Sequence, residues 1–465
     1  DGTTVSFIPM TAMQWRIWWL AAAGKFFEGL VVFMTGVAMP LMSKEFGMNA
    51  FQHGLVGAAS LAGILVGALL LGGLADRFGR KFMFIVEMFI FIVFLGLLTV
   101  SPTFTFTVVF LFGMGVALGC DYPTAHLVIS ESIPSSSRGR LVLGAFGFQA
   151  VGALMGTLVG YLVLTTVTDV TAWRYMYAVA IVPAILVLVG RFFVTESASW
   201  LMTHGRAEEA EREAQKLLER KPPYPKKVKL TRKQKRHLKE DRHPLALFNA
   251  RNRRATILAA VPWFLQDLGT YGIGIFTPTI LAAALGHATV HVHDLTDIIA
   301  NDERAAQGAA LIDLLLIVGI GAAVMLADKV GRIPLQIVGF LGCAAGLLLA
   351  SFSSFYTGGT QIALIFAGFM LFNFMTNLGP NAQTYLLAGE VFPTHIRGMG
   401  AGFAAAFAKI GAVMTAFLFP ILLADIGTTA LLYILVGTSL VGAAVTYLFR
   451  IETTGKSLDD IDIGL

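Results

Sequence analysis

Charge is what this chain has little of. Only 14% of its 465 residues are Asp, Glu, Lys or Arg, against 56% hydrophobic. That balance excludes an ordinary water-soluble domain and makes lipid the solvent for most of the length. Cysteine is nearly missing as well: Cys120 and Cys343 both fall inside apolar runs, which excludes a disulfide framework or thiolate metal cluster and leaves them as packing residues. The polar stretches hold no nucleophile–base pair, phosphate-cradling glycine loop or zinc-protease spacing, so nothing in them reads as an enzyme and no cofactor is called for. No nucleotide-binding domain is evident either. Short alternating strands, the mark of a membrane barrel, are lacking too.

What is present is a series of continuous runs rich in Leu, Ala, Gly and Phe, each near the roughly 20 residues that a helix needs to cross a bilayer. They lie at roughly 16–40, 52–74, 82–100, 104–130, 141–165, 173–194, 255–285, 305–327, 334–353, 361–386, 399–424 and 428–449. The expectation is an all-α membrane protein of twelve transmembrane helices, here spans 1 to 12. The start at Asp1-Gly2, without an initiator Met, suggests a trimmed N-terminus; the first run lacks a signal-cleavage pattern, and residues 1–11 are set aside.

Basic residues mark alternate loops: Arg77, Arg80 and Lys81 after span 2, Arg138 and Arg140 after span 4, Lys329 and Arg332 after span 8, and Arg397 after span 10. The opposite loops carry little beyond Lys44 and Arg304. The inside rule then puts both termini in the cytoplasm, with the plasma (inner) membrane as the expected location. The chain divides into a six-helix bundle over 12–196, a basic cytoplasmic linker over 197–254, a second six-helix bundle over 255–450 and a tail over 451–465. The linker's run of Lys226, Lys227, Lys229, Arg232, Lys233, Lys235 and Arg236 reads as a solvated stretch or one drawn to anionic headgroups. It contains no nucleic-acid-reading module. His287, His291, His293 and Asp294 between spans 7 and 8 read as a solvated cluster rather than a metal site.

The two bundles repeat each other. Asp76, Arg77, Gly79 and Arg80 after span 2 correspond to Asp328, Lys329, Gly331 and Arg332 after span 8, and Glu131 with Arg138 corresponds to Glu390 with Arg397. An acid at a helix end and arginines in the next loop can pair with each other and with helix termini. Asp76, Arg80, Glu131, Arg138, Asp328, Arg332, Glu390 and Arg397 are therefore candidate gating residues.

These loop motifs resemble those of the major facilitator superfamily across nearly the whole chain, which implies two pseudo-symmetric six-helix bundles rocking about a midplane site. Within it the chain is similar to the phosphate:proton symporters. The resemblance rests on Gly119-Cys-Asp121-Tyr122-Pro123, Gln149, the Trp263, Asp267 and Tyr271 series, Asn377 to Asn381, Gly389 to Thr394, and Ala408-Lys409-Ile-Gly411. It departs at Phe26-Phe-Glu28, where the family has two aspartates and a tyrosine, and at Leu111, where relatives carry arginine.

Ionisable groups inside spans are costly, so Glu28, Asp121, Asp267 and Lys409 are functional candidates, although Lys25 lies within one turn of Glu28 and can pair with it. Trp263, Asp267 and Tyr271 are spaced by fours and share one helical stripe, which suits a cavity better than lipid. Phosphate needs a cation, several donors and an acceptor for its hydroxyl. Lys409 would supply the charge, Tyr122, Gln149, Trp263, Tyr271 and Asn381 the donors, and Asp267 the acceptor. Glu28, Asp121 and Asp267 are the candidate proton carriers. His126, one turn after Tyr122, is left as a packed or solvated side chain.

The resulting expectation is a proton-coupled carrier of inorganic phosphate, a monomer in the bilayer that binds no nucleic acid. An organic-anion or metabolite symporter is the alternative. A solute-sensing receptor is disfavoured by the shortness of the linker.

Overall fold

The structure is a computed structural model that describes residues 9–71, 74–133, 138–219, 244–250, 252–286, 295–392 and 396–454. Among them there are helices and no strands, as a bilayer interior demands of a chain that does not close into a barrel. The first half comprises α1 (Ala12–Phe46), α2 (Ala50–Val66), the short α3 (Leu74–Phe78), α4 (Arg80–Thr99), α5 (Phe104–Ser132), α6 (Arg138–Phe146) with α7 (Phe148–Thr166), and α8 (Ala172–Phe192). Two short helices follow, α9 (Ala198–Thr203) and α10 (Ala207–Leu218). The second half comprises α11 (Arg253–Gly286), α12 (Leu295–Val330), α13 (Arg332–Ser351), α14 (Gly359–Leu378) with α15 (Pro380–Glu390), and α16 (Arg397–Leu448).

These helices make twelve passes. Ten stretches qualify as spans by length and hydropathy alone. One of them, in α16, turns back at Gly427, whose φ of 78° interrupts the helix and yields spans 11 and 12. Span 7 is α11, whose middle carries Gln266, Asp267 and Tyr271. Spans 5 and 10 are each two helices end to end, α6 with α7 and α14 with α15.

Local signals set the ends. Thr11 and Asn49 open α1 and α2 with reciprocal capping boxes through Gln14 and Gln52. Gly47, in the left-handed region at φ 62°, closes α1. The duplication shows in backbone geometry: Gly79 and Gly331 precede α4 and α13 with φ of 105° and 104°, a region that L side chains avoid.

Helices within a half meet backbone to backbone through glycines, the packing that a bilayer favours. A Cβ at Gly29 would lie 2.0 Å from the Gln149 carbonyl oxygen, and one at Gly152 would lie 1.9 Å from that of Phe26, so α1 and α7 touch without side chains between them. Gly63 and Gly115 do the same for α2 and α5.

The halves also touch. We call the face holding Thr11, α9, α10 and Thr454 the linker face, and the opposite one the far face. On the far face a Cβ at Gly36 of α1 would lie 2.0 Å from the Ile275 carbonyl oxygen of α11, and one at Gly54 of α2 would lie 2.4 Å from that of Phe417 in α16. Toward the linker face, the rings of Phe146 and Tyr385 stack across the seam with centroids 4.4 Å apart.

A branched residue at Gly36 cannot coexist with this far-face contact. Gly36→Val should cost the closed arrangement about 1–3 kcal/mol, the usual range for overpacking, and leave an arrangement open on that face untouched. Transport should fall while a Met39→Cys thiol, buried in the same seam, labels faster with an impermeant maleimide; unchanged labelling would show that the two backbones separate without passing this point.

Candidate substrate site

Five of the expected binding and coupling residues meet at one point, and both halves supply them. Glu28 comes from α1 and Gln149 from α7; Asp267 and Tyr271 come from α11, and Lys409 from α16. Tyr271 is the hub. Its hydroxyl accepts from Lys409 Nζ at 2.6 Å and from Gln149 Nε2 at 2.7 Å, and donates to Glu28 Oε1 at 3.0 Å. The Gln149 amide also reaches Glu28 Oε1, at 3.3 Å. Lys409 Nζ lies 3.3 Å from Glu28 Oε1, 3.5 Å from Asp267 Oδ2 and 4.4 Å from the centre of the Tyr271 ring. Lys25 completes the group, 2.5 Å from Glu28 Oε2 and 5.7 Å from the Phe146 ring centre.

Four charges thus lie buried in the middle of the spans, two of each sign, and they cancel. They are not held alike. Glu28 is shared by two lysines, a phenol and an amide, whereas Asp267 is 1% exposed and, among the described residues, has Lys409 as its one ion-pair partner and no hydrogen bond to its Oδ2. An uncompensated charge here would be costly. A neutral solute can enter as the site stands. A monoanion can enter without leaving net charge only if one carboxylate takes up a proton, and Asp267 is the one with least to lose.

Other expected residues lie apart from this point. Asp121 packs against Gly24 and pairs with Arg191 of α8, its Oδ1 2.6 Å from Nη1. Trp263 meets Tyr385 edge-on, with centroids 6.1 Å apart. Asn381 donates to Asn377 Oδ1 at 2.7 Å. The side chains of Tyr122 and His126 lie outside the described residues, as do His287, His291, His293 and Asp294. No group of three or more metal-type ligands occurs among the described residues.

Sequence reasoning missed several groups. Arg191 is fully buried, donates to the Phe84 carbonyl at 2.6 Å and lies 3.6 Å above the Phe84 ring centre. Leu111, where a relative's arginine was expected, is buried among apolar side chains. Glu87, which accepts from Thr124 at 2.7 Å, and Asp313 are buried carboxylates within spans. Each could have been found as an ionisable residue in an apolar run.

On the linker face the duplicated motifs form matching networks. Arg80 pairs with Glu131 at 3.3 Å and donates to the Ala75 carbonyl. Arg332 pairs with Asp328 at 2.8 Å and forks onto both oxygens of Glu390 at 3.3 Å. The side chains of Asp76, Arg138 and Arg397 lie outside the described residues. One residue not singled out for gating completes each network. Glu196, after α8, accepts from the N–H groups of Arg80 and Lys81 at the start of α4. Glu452, after α16, accepts from those of Arg332 and Ile333 at the start of α13. These acids cap helix N-termini from a distance. Burial pushes Glu196 above the usual glutamate range, against its backbone hydrogen bonds. For Glu452 burial also pushes upward, but the Thr454 side-chain and backbone hydrogen bonds and the N–H groups of Ile333 and Arg332 prevail and hold it below that range.

A carrier, rather than an enzyme, is what a charge-neutralised midplane site divided between two six-pass halves defines, and the class is the major facilitator superfamily. The chain belongs to the sugar (and other) transporter family, whose model matches residues 17–465. The xylose transporter XylE of Escherichia coli, in a partially occluded inward-open conformation, superposes with a TM-score of 0.76 over 96% of this chain and 100% of its own, at 22% identity. Among sequence relatives, the putative metabolite transport protein YaaU of Escherichia coli is 29% identical over 97% of this chain and 95% of its own. A putative inorganic phosphate transporter of Schizosaccharomyces pombe is 27% identical over 98% and 89%. The niacin transporter NiaP of Acinetobacter baylyi is 26% identical over 98% and 98%.

The two caps should titrate with opposite sign. A depressed acid such as Glu452 stabilises the fold above its unfolded value and loses that contribution as pH falls through its folded value, whereas the raised Glu196 contributes most at low pH and less as pH rises. Glu452→Gln should therefore cost about 1 kcal/mol near neutral pH, a typical cap loss, and flatten the acid side of a thermal-melting profile. Glu196→Gln should cost less at neutral pH; the reverse order in detergent melts would overturn the assignment.

Proposed function

We propose that this chain is a proton-coupled symporter of a small oxyanion, with inorganic phosphate as the leading cargo and the linker face in the cytoplasm of a plasma (inner) membrane protein working as a monomer. The observation that carries the reading is the Lys409 ammonium held between Asp267 and the Tyr271 hydroxyl. Displacing the Tyr271 hydroxyl from Lys409 and Gln149 frees a cation and an amide donor for phosphate oxygens, while Asp267 accepts from a phosphate hydroxyl or from the coupling proton. Sulfate has no hydroxyl near neutral pH and would set oxygen against carboxylate, a mismatch that polar sites reject. Glu28 and Asp121, each paired to a buried cation, tune this charge balance and are secondary carriers of the proton. Tyr122, Trp263 and Asn381 remain candidate contacts for states in which the site has rearranged.

Alternating access follows from where the bonds run. Tyr271 to Glu28, Gln149 to Tyr271 and Lys409 to Glu28 all cross between halves, so cargo that takes over these groups unties the seam it has to pass. The Arg80–Glu131 and Arg332–Glu390 pairs, with Asp76, Asp328, Arg138 and Arg397, act as latches on the linker face. The relative of Schizosaccharomyces pombe carries a phosphate name, in keeping with this reading.

A second reading, an organic-anion symporter, is favoured by Lys25 and by the stack of Phe146 on Tyr385, with Trp263 set edge-on. A second cation next to aromatic rings suits a carboxylate on a planar ring, and one relative is named a niacin transporter.

Labelled phosphate should enter proteoliposomes under an inward acid gradient, resist competition by sulfate, and lose its gradient dependence in Asp267→Asn. Lys409→Met should abolish uptake by roughly 100-fold or more, as expected when a buried charge loses its only partner. Strong uptake of an aromatic carboxylate without phosphate uptake would promote the second reading; full proton-driven uptake by Asp267→Asn would end the coupling assignment.

A further inference from the structure

Asp313 has no part in the site described above, yet it is a carboxylate at membrane depth, 2% exposed, in the middle of α12. Its Oδ1 receives the amide of Asn373 from α14 at 3.2 Å, and that amide is shared with the Ile312 carbonyl oxygen at 3.3 Å. Its Oδ2 is buried and accepts no hydrogen bond among the described residues.

Among the described residues, no cation answers it from any packed element. Of the titratable groups on the helices touching α12, α7 has Tyr161 alone and α14 has none. Asp267 and Tyr271 of α11 and Lys25 and Glu28 of α1 belong to the central site, and the remaining charges of α1 and α11 sit near their ends. Arg140 of α6, Arg332 and Cys343 of α13, and Tyr385 and Glu390 of α15 are likewise elsewhere, Arg332 being tied to Glu390. On α12 itself Asp302, Glu303 and Arg304 lie toward the far face, and Asp328 and Lys329 toward the linker face.

Across the seam, the Thr157 hydroxyl of α7 interacts with the carboxyl group. That hydroxyl has one proton, and its own backbone holds it: Oγ1 donates to the Leu154 carbonyl at 2.9 Å, with the Ala153 carbonyl at 3.3 Å. While that proton goes to the backbone, what Oγ1 offers Asp313 is a lone pair. A carboxyl group facing a lone pair, with no cation near, is matched as a neutral acid that donates and mismatched as a carboxylate that can only accept. Asp302, about three turns nearer the far face on the same side of α12, is also buried, with neither oxygen hydrogen-bonded among the described residues.

We propose that Asp313 is a second proton-binding group, loaded while α7 and α12 are packed together and released when the halves part and water reaches the carboxyl group. Its proton is then a condition for closing the seam, separate from the charge balance around Asp267. The inference rests on the proton-coupled reading only in its transport readout.

The test uses the full chain reconstituted in lipid. Infrared difference spectra between acid and alkaline pH should contain a neutral-acid carbonyl band that is absent in Asp313→Asn, shifted in Asp313→Glu and retained in Asp267→Asn. Where Asp313→Asn fails to fold, the Asp313→Glu shift decides, and an unshifted band overturns the proposal. In proteoliposomes, uptake by Asp313→Asn should lose one titrating step in its dependence on outside pH; an identical profile and an unchanged number of protons per phosphate also overturn it. A wild-type protein that takes up no phosphate sinks the cargo assignment and leaves the infrared result standing, so the two failures can be told apart.

Discussion

Two lysines and two carboxylates cancel at the centre of a chain that is otherwise solvated by lipid, and the rest of the molecule is arranged to make that tolerable. Hydrocarbon does not solvate charge, so each of the four must be met by protein. The Tyr271 hydroxyl meets several at once, taking donors from Lys409 and Gln149 while giving its proton to Glu28. Because its partners come from both halves, the stabilisation of the charges and the closure of the seam are one event. A solute that competed for those groups would act on the conformation as well as on the charge.

This explains why glycine is concentrated where α1 meets α7 and α11. Holding Glu28 within reach of Gln149 and Tyr271 requires close helix axes, and the contacts at Gly29, Gly152 and Gly36 remove the side chains that would keep them apart. On the linker face ion pairs and helix caps tie helices together within each half, and the stack of Phe146 on Tyr385 crosses the seam.

Much of this architecture was legible in the chain. Twelve passes follow from runs of apolar residues because lipid imposes one length and one backbone solution. The repeated loop motifs announced the duplication, and Gly79 and Gly331 then share the same positive φ. The meeting of Asp267, Tyr271 and Lys409 was readable from the cost of burying such groups. Partnerships between distant spans were harder: Arg191 reads as a basic residue near the end of span 6, and only packing shows that it stacks on the Phe84 ring and holds Asp121. Asn381, expected to face the cargo, is engaged by Asn377 in its own helix pair. Asp313 and Glu87 stood in plain view among apolar residues, but without neighbours to weigh them against, a single acid in a span carries no direction.

The glycine contacts between α1 and α7 have a mechanical side. Two helices joined main chain to main chain cannot bend or slide independently, so Glu28 and Gln149 ride on one stiff beam about as long as the bilayer is thick. A beam of that kind adjusts to its membrane by tilting as a whole. A change in bilayer thickness would then reach Glu28 and Gln149 through the tilt of the pair rather than through headgroup chemistry.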